Sequence, residues 1–480
     1  MALTREAIVE HLQRIVGTEN VLTDPELLKQ RSIDNFRKLQ NIFGVYTMPF
    51  PAAVVMVRST DDAARVLAFA DEHGVNVVSR TGGTATEGGL ETPVENSVVM
   101  DGSGMNQILK IDTYNMQATV QCGVPLQALE DRVRALGFTT GHSPQSKPVA
   151  HFGGLTATRS IGQFSTLYGG IEDMIVGCEV VFPGGKVARI KNVPRRAAGP
   201  DIRHIVIGNE GALCFISEVT VKLFPYMPEN NTFLGWTTKS MKTGFAVLRE
   251  VMVAGYKPSV ARLYDPEDGQ LHFSNFAAPD DCIVLFMAEG PAGIVKATAE
   301  AISEIAARHP DCTPVDSRLI AEWFDDLVWG PDKITKEDNR IRDTRNVNRT
   351  TEISADWSSI NDIYEAVLPR IRAEIKGITL LGGHSSHSYI NGTNMYFNYF
   401  YDLVDCEPVE ENDKYYFPII KIIVEETLRF GGSIVHHHGI GKARARWVKE
   451  EYGSSYQMLE ALKKAFDPNG IMNMGTIIPR

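Results

Sequence analysis

Four separated clusters of small, hydroxyl-bearing or basic residues carry the chemistry available to this chain. The first is Ser79-Arg80-Thr81-Gly82-Gly83-Thr84-Ala85-Thr86. Its two glycines remove the Cβ atoms that would hold a ligand off the backbone, and their φ freedom lets successive N–H groups converge on one anion. The threonines add hydroxyl donors and Arg80 adds charge. Behind a strand such a loop is a diphosphate cradle, although the same composition also makes an ordinary turn. The second cluster is Gly141-His142-Ser143-Pro144-Gln145-Ser146, followed by Gly153-Gly154-Leu155-Thr156-Ala157-Thr158-Arg159-Ser160. Residues this small allow backbone to approach a flat ligand. The third leads from Gly199-Pro200-Asp201 into the stretch Ile207-Gly208-Asn209-Glu210-Gly211 and on to Ile216. The fourth is Ser433-Ile434-Val435-His436-His437-His438-Gly439-Ile440-Gly441-Lys442. No GxGxxG follows a strand and no GxxxxGK[ST] loop is present, so a nucleotide would be bound in another way.

Three consecutive imidazoles in a chain with 12 histidines admit three readings: a metal site shared with His387, an active-site wall, or an accident of composition. In extended backbone, alternate residues face opposite ways, so His436 and His438 would share one side and His437 the other. His384 and His387 fall on opposite phases of an alternating segment, which leaves one of them packed or solvated. An arginine beside a strand, such as Arg262, is by itself more often a salt-bridge partner than a catalyst. The charge run from Asp332 to Arg349 reads as a solvated face, and residues 325–350 as a mobile surface segment.

The elements that must position these clusters follow from hydrophobic pattern. Residues 1–45 read as two short helices, the second opened by Asp24-Pro25. Ala53 to Val57, a helix from Thr60 to Glu72 and a strand ending at Ser79 form a strand-helix-strand unit. Strands at Ser97–Met100 and Gln117–Gln121 and a helix over Val124–Leu136 come next. Short strands at 174–181, 186–190 and 219–223 follow, the first two joined by the Pro183-Gly184-Gly185 turn. After about Pro225 the pattern changes to that of a second, α+β unit. Its strands fall at 232–236, 259–263 and 282–288, and its helices at 242–254 and 293–308. A helix and the Asp467-Pro468-Asn469-Gly470 turn close the chain.

Bulk properties narrow the function. A chain of 480 residues exceeds one hydrophobic core. A net charge of −11 and a pI near 5.6 argue against a nucleic-acid groove; Arg195-Arg196 and Lys442 to Lys449 are short local clusters. No apolar run reaches membrane-span length, and Met1 to Gln13 lacks the apolar core of a signal peptide. Six widely spaced cysteines form no CxxC pair, as in a reduced cytoplasmic protein.

In order and spacing the four clusters resemble the flavoproteins of the vanillyl-alcohol oxidase and p-cresol methylhydroxylase superfamily. Within it the chain is most similar to the alkylglycerone-phosphate synthase group and its bacterial FAD-linked relatives, over residues 40–480. The resemblance implies an α+β protein: a two-part FAD-binding domain (46–227) after an N-terminal helical segment (1–45), then a substrate cap (228–437) and a C-terminal segment (438–480) returning to the FAD domain. It assigns the FAD diphosphate to Arg80, Gly82, Gly83, Thr84 and Ala85. Pro144, Ser146, Ala157, Thr158 and Ser160 would line the diphosphate and the isoalloxazine ring, and Glu210, Gly211 and Ile216 would reach the adenosine half. Arg262 and Arg342 match the family's substrate-site arginines, and Tyr389 and His436, His437 and His438 its active-site tyrosine and histidine-rich segment. No histidine stands at the flavin-linking position of the first loop, so FAD is expected to be held non-covalently. The hydroxy-acid dehydrogenase branch has a metal site; its equivalents here are His387, Tyr396 and His437, without a carboxylate, so no metal is expected.

The resulting expectation is an oxidoreductase acting on a small hydroxylated, anionic substrate, a 2-hydroxy acid or a polyol or sugar derivative, by hydride transfer to flavin N5. Tyr389 or a histidine of the run would act as base. An electron-transfer flavoprotein, a quinone or oxygen would take the electrons, and pairing into a homodimer is left open. The alternative is a transferase like the ether-lipid synthases, exchanging an acyl for an alkyl chain at the flavin without net redox change.

Overall fold

The computed structural model describes residues 3–325, 327 and 331–479. Three sheets organise it. The first holds the strands Val21–Leu22, Ala53–Met56, Val98–Asp101 and Val77–Arg80 in that order, the last three parallel. The helix Thr60–His73 crosses between two of them. Ser59 caps its first turn by accepting from Asp62 N–H, and Gly74 ends it with φ of 66°. Val66, Leu67 and Ala70 are buried on its inner face, as the 3.6-residue period of the sequence requires. Val77 and Val78 are fully buried, and the strand emerges at Ser79 and Arg80 into the glycine loop.

The second sheet is antiparallel and contains Ile108–Asp112, Gln117–Gln121, Phe215–Lys222, Ile175–Phe182 and Lys186–Ile190. Pro183-Gly184-Gly185 turns the last hairpin, with both glycines at φ of 73°. Together the two sheets make the first half of the molecule, which carries the glycine loop. The region expected to form the cap is a seven-stranded antiparallel sheet in the order Thr313–Pro314, Thr232–Thr238, Cys282–Ala288, Val260–Tyr264, Ile378–Ser385, Gly392–Asp402, Asn346–Asp356. Helices including Met241–Val253, Ala292–Ala306, Ile360–Glu374 and Phe417–Arg429 join its core. The chain then returns to the first half: Ile471 accepts from Val77 N–H and Val77 accepts from Asn473 N–H, each at 2.8 Å.

The two faces of the cap sheet differ in chemistry, and this difference positions the site. Along Gly392–Asp402, Met395, Phe397, Tyr399 and Tyr401 point into the core with no exposed surface. The intervening Tyr396, Asn398 and Phe400 face a cavity. Register puts Glu352 opposite Tyr396, Thr350 opposite Asn398 and Asn348 opposite Phe400, while His384 pairs with Tyr396 on the other side. A period of two thus lays a row of polar groups over the cavity and an apolar row over the helices.

Several elements differ from the sequence reading. The N-terminal segment forms three helices, Arg5–Val16, Pro25–Arg31 and Lys38–Ile42. The charge run is neither wholly solvated nor irregular. Residues Pro331–Thr344 are helical, Ile341 is buried, Glu337 pairs with Lys38 at 2.7 Å, and Arg349 pairs with buried Glu411 at 2.8 Å. The part of the expected mobile segment at residues 326 and 328–330 lies outside the described residues, as do Met1 and Ala2. Of the residues read as a local basic patch, Arg444 is buried and Lys442 half-buried.

Candidate active site

A cavity of about 820 Å³ runs between the half that carries the glycine loop and the polar face of the seven-stranded sheet. Arg80, Gly82, Gly83, Thr84, Ala85, Pro144, Ser146, Ala157, Thr158, Ser160, Glu210, Gly211 and Ile216 all line it. The glycine loop lies flat on the neighbouring chain: a Cβ on Gly82 would fall 2.5 Å from the Val149 carbonyl oxygen. Gly83 has φ of 74°, a conformation that side chains rarely adopt. Arg80 donates to the carbonyls of Arg31 and Ile33 at 3.3 and 3.2 Å. Its Nε, and Ser79 Oγ beside it, are buried without a partner. Unpaired buried donors around a bare-backbone cradle fit the diphosphate of FAD.

Glu210 has a further role. Its carboxylate accepts from Ile440 and Gly441 N–H, both at 2.8 Å, so it fastens the Gly-Ile-Gly segment to the cofactor wall. Burial pushes its pKa up to about 7, against the backbone bonds that lower it. His151, which sequence reasoning passed over, also lines the cavity, with a buried Nδ1 that has no partner.

The histidine run curls around one carboxylate. Glu352, with no exposed surface, accepts from His436 N–H at 3.2 Å, His437 N–H at 3.2 Å and His438 N–H at 2.5 Å. Three successive N–H groups on one anion require a nest, so the run is not extended. The expected alternation therefore fails: the adjacent His437 and His438 both line the cavity, whereas His436 does not. Burial alone would raise the Glu352 pKa, but Arg444, His438, His437 and the His438 N–H outweigh it and hold the carboxyl well below its usual range.

His436 and His437 form the middle of a continuous hydrogen-bonded row. Tyr396 Oη lies 2.7 Å from His437 Nε2. His437 Nδ1 is 2.9 Å from His436 Nδ1, and His436 Nε2 is 2.7 Å from Tyr389 Oη. Only its first two members, Tyr396 and His437, line the cavity; Tyr389 stands at the far end. Burial lowers His436 to about 4. Burial, then the neighbouring His438, takes His437 well below the ordinary imidazole value. Both rings are neutral near pH 7, and burial pushes both tyrosines up. Sequence reading took Tyr396 only as the counterpart of a metal ligand. The alternation of Asn394, Tyr396 and Asn398 with core residues was the signal for its place on the cavity.

Two groups have metal-ligand composition: His387, His436 and His437, and Glu352, His437 and His438. A carboxylate is therefore present after all, contributed by a strand that the sequence reading left unassigned. Its oxygens are engaged by backbone N–H groups and by Arg444, and both nitrogens of His436 and of His437 have protein partners. His436 and His437 are thus saturated as in a hydrogen-bonded wall, whereas Nδ1 of His438 is buried without a hydrogen-bond partner.

Arg262 is 4% exposed and lines the cavity. It donates to Tyr264 Oη at 2.5 Å, lies over the Trp323 ring at 5.4 Å, and leaves Nε without a partner. Among the described residues it forms no salt bridge. Arg342 is not brought here: it is exposed on its helix, bonded to Asn339 and the Ile42 carbonyl. Ile334, Glu337 and Asp338 of that helix face the cavity in its place.

Residues 51–191 match the FAD binding domain family, and residues 227–477 match the family of FAD linked oxidases, C-terminal domain. The chain is 63% identical to the FAD-linked oxidoreductase YgcU of Escherichia coli (strain K12), over 100% of this chain and 99% of that protein. It is 27% identical to the glycolate oxidase subunit GlcD of Bacillus subtilis (strain 168), over 90% of this chain and 89% of that one. A solved alkyldihydroxyacetonephosphate synthase shares the fold with a TM-score of 0.77 at 21% identity, across 100% of this chain and 86% of that one. Among the described residues no helix is long and apolar enough to cross a membrane.

Proposed function

The chain belongs to the FAD-linked oxidoreductases, and on that premise we propose that it oxidises a CH–OH group of a small anionic substrate, a 2-hydroxy acid or a polyol or sugar derivative. The observation that carries this reading is the buried, acid-free guanidinium of Arg262 on the wall of the cofactor cavity. A buried cation without a counter-ion is costly, and an anionic ligand offsets that cost through charge-assisted hydrogen bonds. The name of the Bacillus subtilis relative, a glycolate oxidase subunit, points to the same class.

Bound FAD supplies the hydride acceptor. The glycine loop and Arg80 would hold its diphosphate, and the cap sheet would cover the substrate and exclude water. Arg262 anchors the anionic end. The hydroxyl proton passes to the Tyr396–His437 pair and along His436 to Tyr389, a row in which every contact is 2.9 Å or shorter. Neutral imidazoles suit this task, because each can accept at one nitrogen and donate at the other. An electron-transfer flavoprotein, a quinone or oxygen would reoxidise the enzyme.

Anaerobic mixing with glycolate, D-lactate, polyols and sugar acids tests the proposal: bleaching of the flavin band by at least one of them is expected. If none reduces the flavin, the reading fails. A second reading, alkyl-for-acyl exchange, draws on the apolar Leu271, Leu327, Ile334 and Phe400 in the same cavity. Incorporation of a labelled fatty alcohol into acyl-dihydroxyacetone phosphate would establish it.

A further inference from the structure

His384 sits face to face between two tyrosines, 4.9 Å from the ring of Tyr264 and 4.5 Å from that of Tyr396, with interplanar angles of 23° and 21°. Its Nδ1 lies 2.5 Å from Asp268 Oδ2. Asp268 has no exposed surface and pairs with no lysine or arginine among the described residues. The amide of Asn398 donates to its other oxygen at 3.0 Å, and His272 Nε2 stands 3.9 Å away. A carboxylate on Nδ1 fixes the tautomer, so that N–H occupies Nδ1 and the lone pair of Nε2 is free. Among the described residues no protein group bonds to Nε2, and His384 lines the cavity with Arg262, Tyr264, His272, Tyr396 and Asn398.

This pair is not part of the Tyr396-to-Tyr389 row, and the reaction described above leaves it without a task. An oriented imidazole acceptor on a cavity wall reads a hydroxyl group. The hydroxyl whose proton enters the row is already assigned to Tyr396 and His437, so the one facing His384 is a second hydroxyl, one ring's spacing along the wall. Glycolate and D-lactate have only one.

We propose that Asp268 and His384 form a specificity pair that recognises a second hydroxyl, so that the substrate is a polyhydroxylated carboxylate of the aldonic-acid class, not a short 2-hydroxy acid. This rests on the reading of the cavity as a hydroxy-acid site. Arg262 holds the carboxylate, Tyr396 and His437 meet the reacting hydroxyl, and His384 Nε2 accepts from the hydroxyl on the next carbon.

The test compares a panel of four- to six-carbon aldonic acids with glycolate and D-lactate on holoenzyme, by flavin spectral perturbation and steady-state kinetics. At least one aldonic acid is expected to bind more tightly than D-lactate. His384→Phe keeps the ring stack and removes the acceptor. It should raise KM for that acid by about tenfold to a hundredfold, the scale of one lost hydrogen bond to an oriented partner, with kcat and the flavin spectrum nearly unchanged. D-lactate kinetics should not move. Asp268→Asn should shift KM in the same direction and covers the case in which His384→Phe fails to fold. Wild-type binding of both classes with KM unaffected in the variants overturns the specificity pair alone. Equal losses for both classes also overturn it. Failure of wild type to bind any of these acids overturns the pair and the hydroxy-acid reading together.

Discussion

Arg444 and Glu352 meet 3.2 Å apart with no exposed surface on either residue. The same guanidinium grips Glu87 through Nε and NH2, both at 3.0 Å. Glu87 follows the glycine loop, and Glu352 holds the backbone of the histidine run. One buried arginine therefore ties the cofactor cradle to the active-site wall. Breaking a buried pair on one side leaves an uncompensated charge, at a cost of about 3–5 kcal/mol. Arg444→Met should lower stability on that scale in denaturant titrations and release FAD more readily. Unchanged stability with normal FAD retention would show that the two carboxylates do not depend on it.

Purified protein should be yellow and release its flavin on acid precipitation. The motive is the first loop, Arg80 to Thr86, which has no histidine to form a covalent link. Flavin that remains with the precipitated polypeptide overturns non-covalent binding.

Arg262→Met should weaken substrate binding about tenfold to a hundredfold, the equivalent of about 1.5–3 kcal/mol for a charge-assisted bond, while FAD affinity stays near wild type. Loss of FAD with unchanged substrate affinity would make Arg262 a scaffold residue.

His437→Ala interrupts the row after Tyr396. Turnover should fall by about 10²–10⁴-fold, the usual worth of positioned proton transfer, with the visible flavin spectrum retained. Chelators should leave wild type unaffected. Full activity in the variant, or stoichiometric metal whose removal abolishes activity, contradicts the assignment.

His436 titrates near 4 in the fold against an ordinary value of 6.5. Between these values the unfolded chain binds the extra proton and the folded one does not. The contribution of His436 is therefore complete above about pH 6.5 and is lost as pH falls toward 4. Wild type should lose more thermal stability than His436→Asn on going from about pH 7.5 to about pH 5. Parallel losses in the two proteins would place the pH response elsewhere.

Much of the cofactor half was legible along the chain. Glycine and threonine density marks where backbone must approach a ligand, and each residue assigned to the cofactor, from Arg80 to Ile216, lines the cavity. Hydrophobic period gave the helix Thr60–His73 and the strands around it, because those elements bury one face locally. Reading stopped short between residues 310 and 433. The long strands Asn346–Asp356, Ile378–Ser385 and Gly392–Asp402 went unassigned there, their polar faces masking the alternation.

What sequence alone determined is therefore the composition of two walls: bare backbone at Gly82 and Gly83, and imidazoles at 436–438. Tertiary structure decided the partners. Glu352 reaches the histidine run, Asp268 reaches His384 and Arg444 reaches Glu87 across 84 to 357 residues. Each choice depends on strand register and on the need of a buried charge for a counter-charge. Those conditions belong to the folded arrangement as a whole, and no local window of sequence contains both members of any of these pairs.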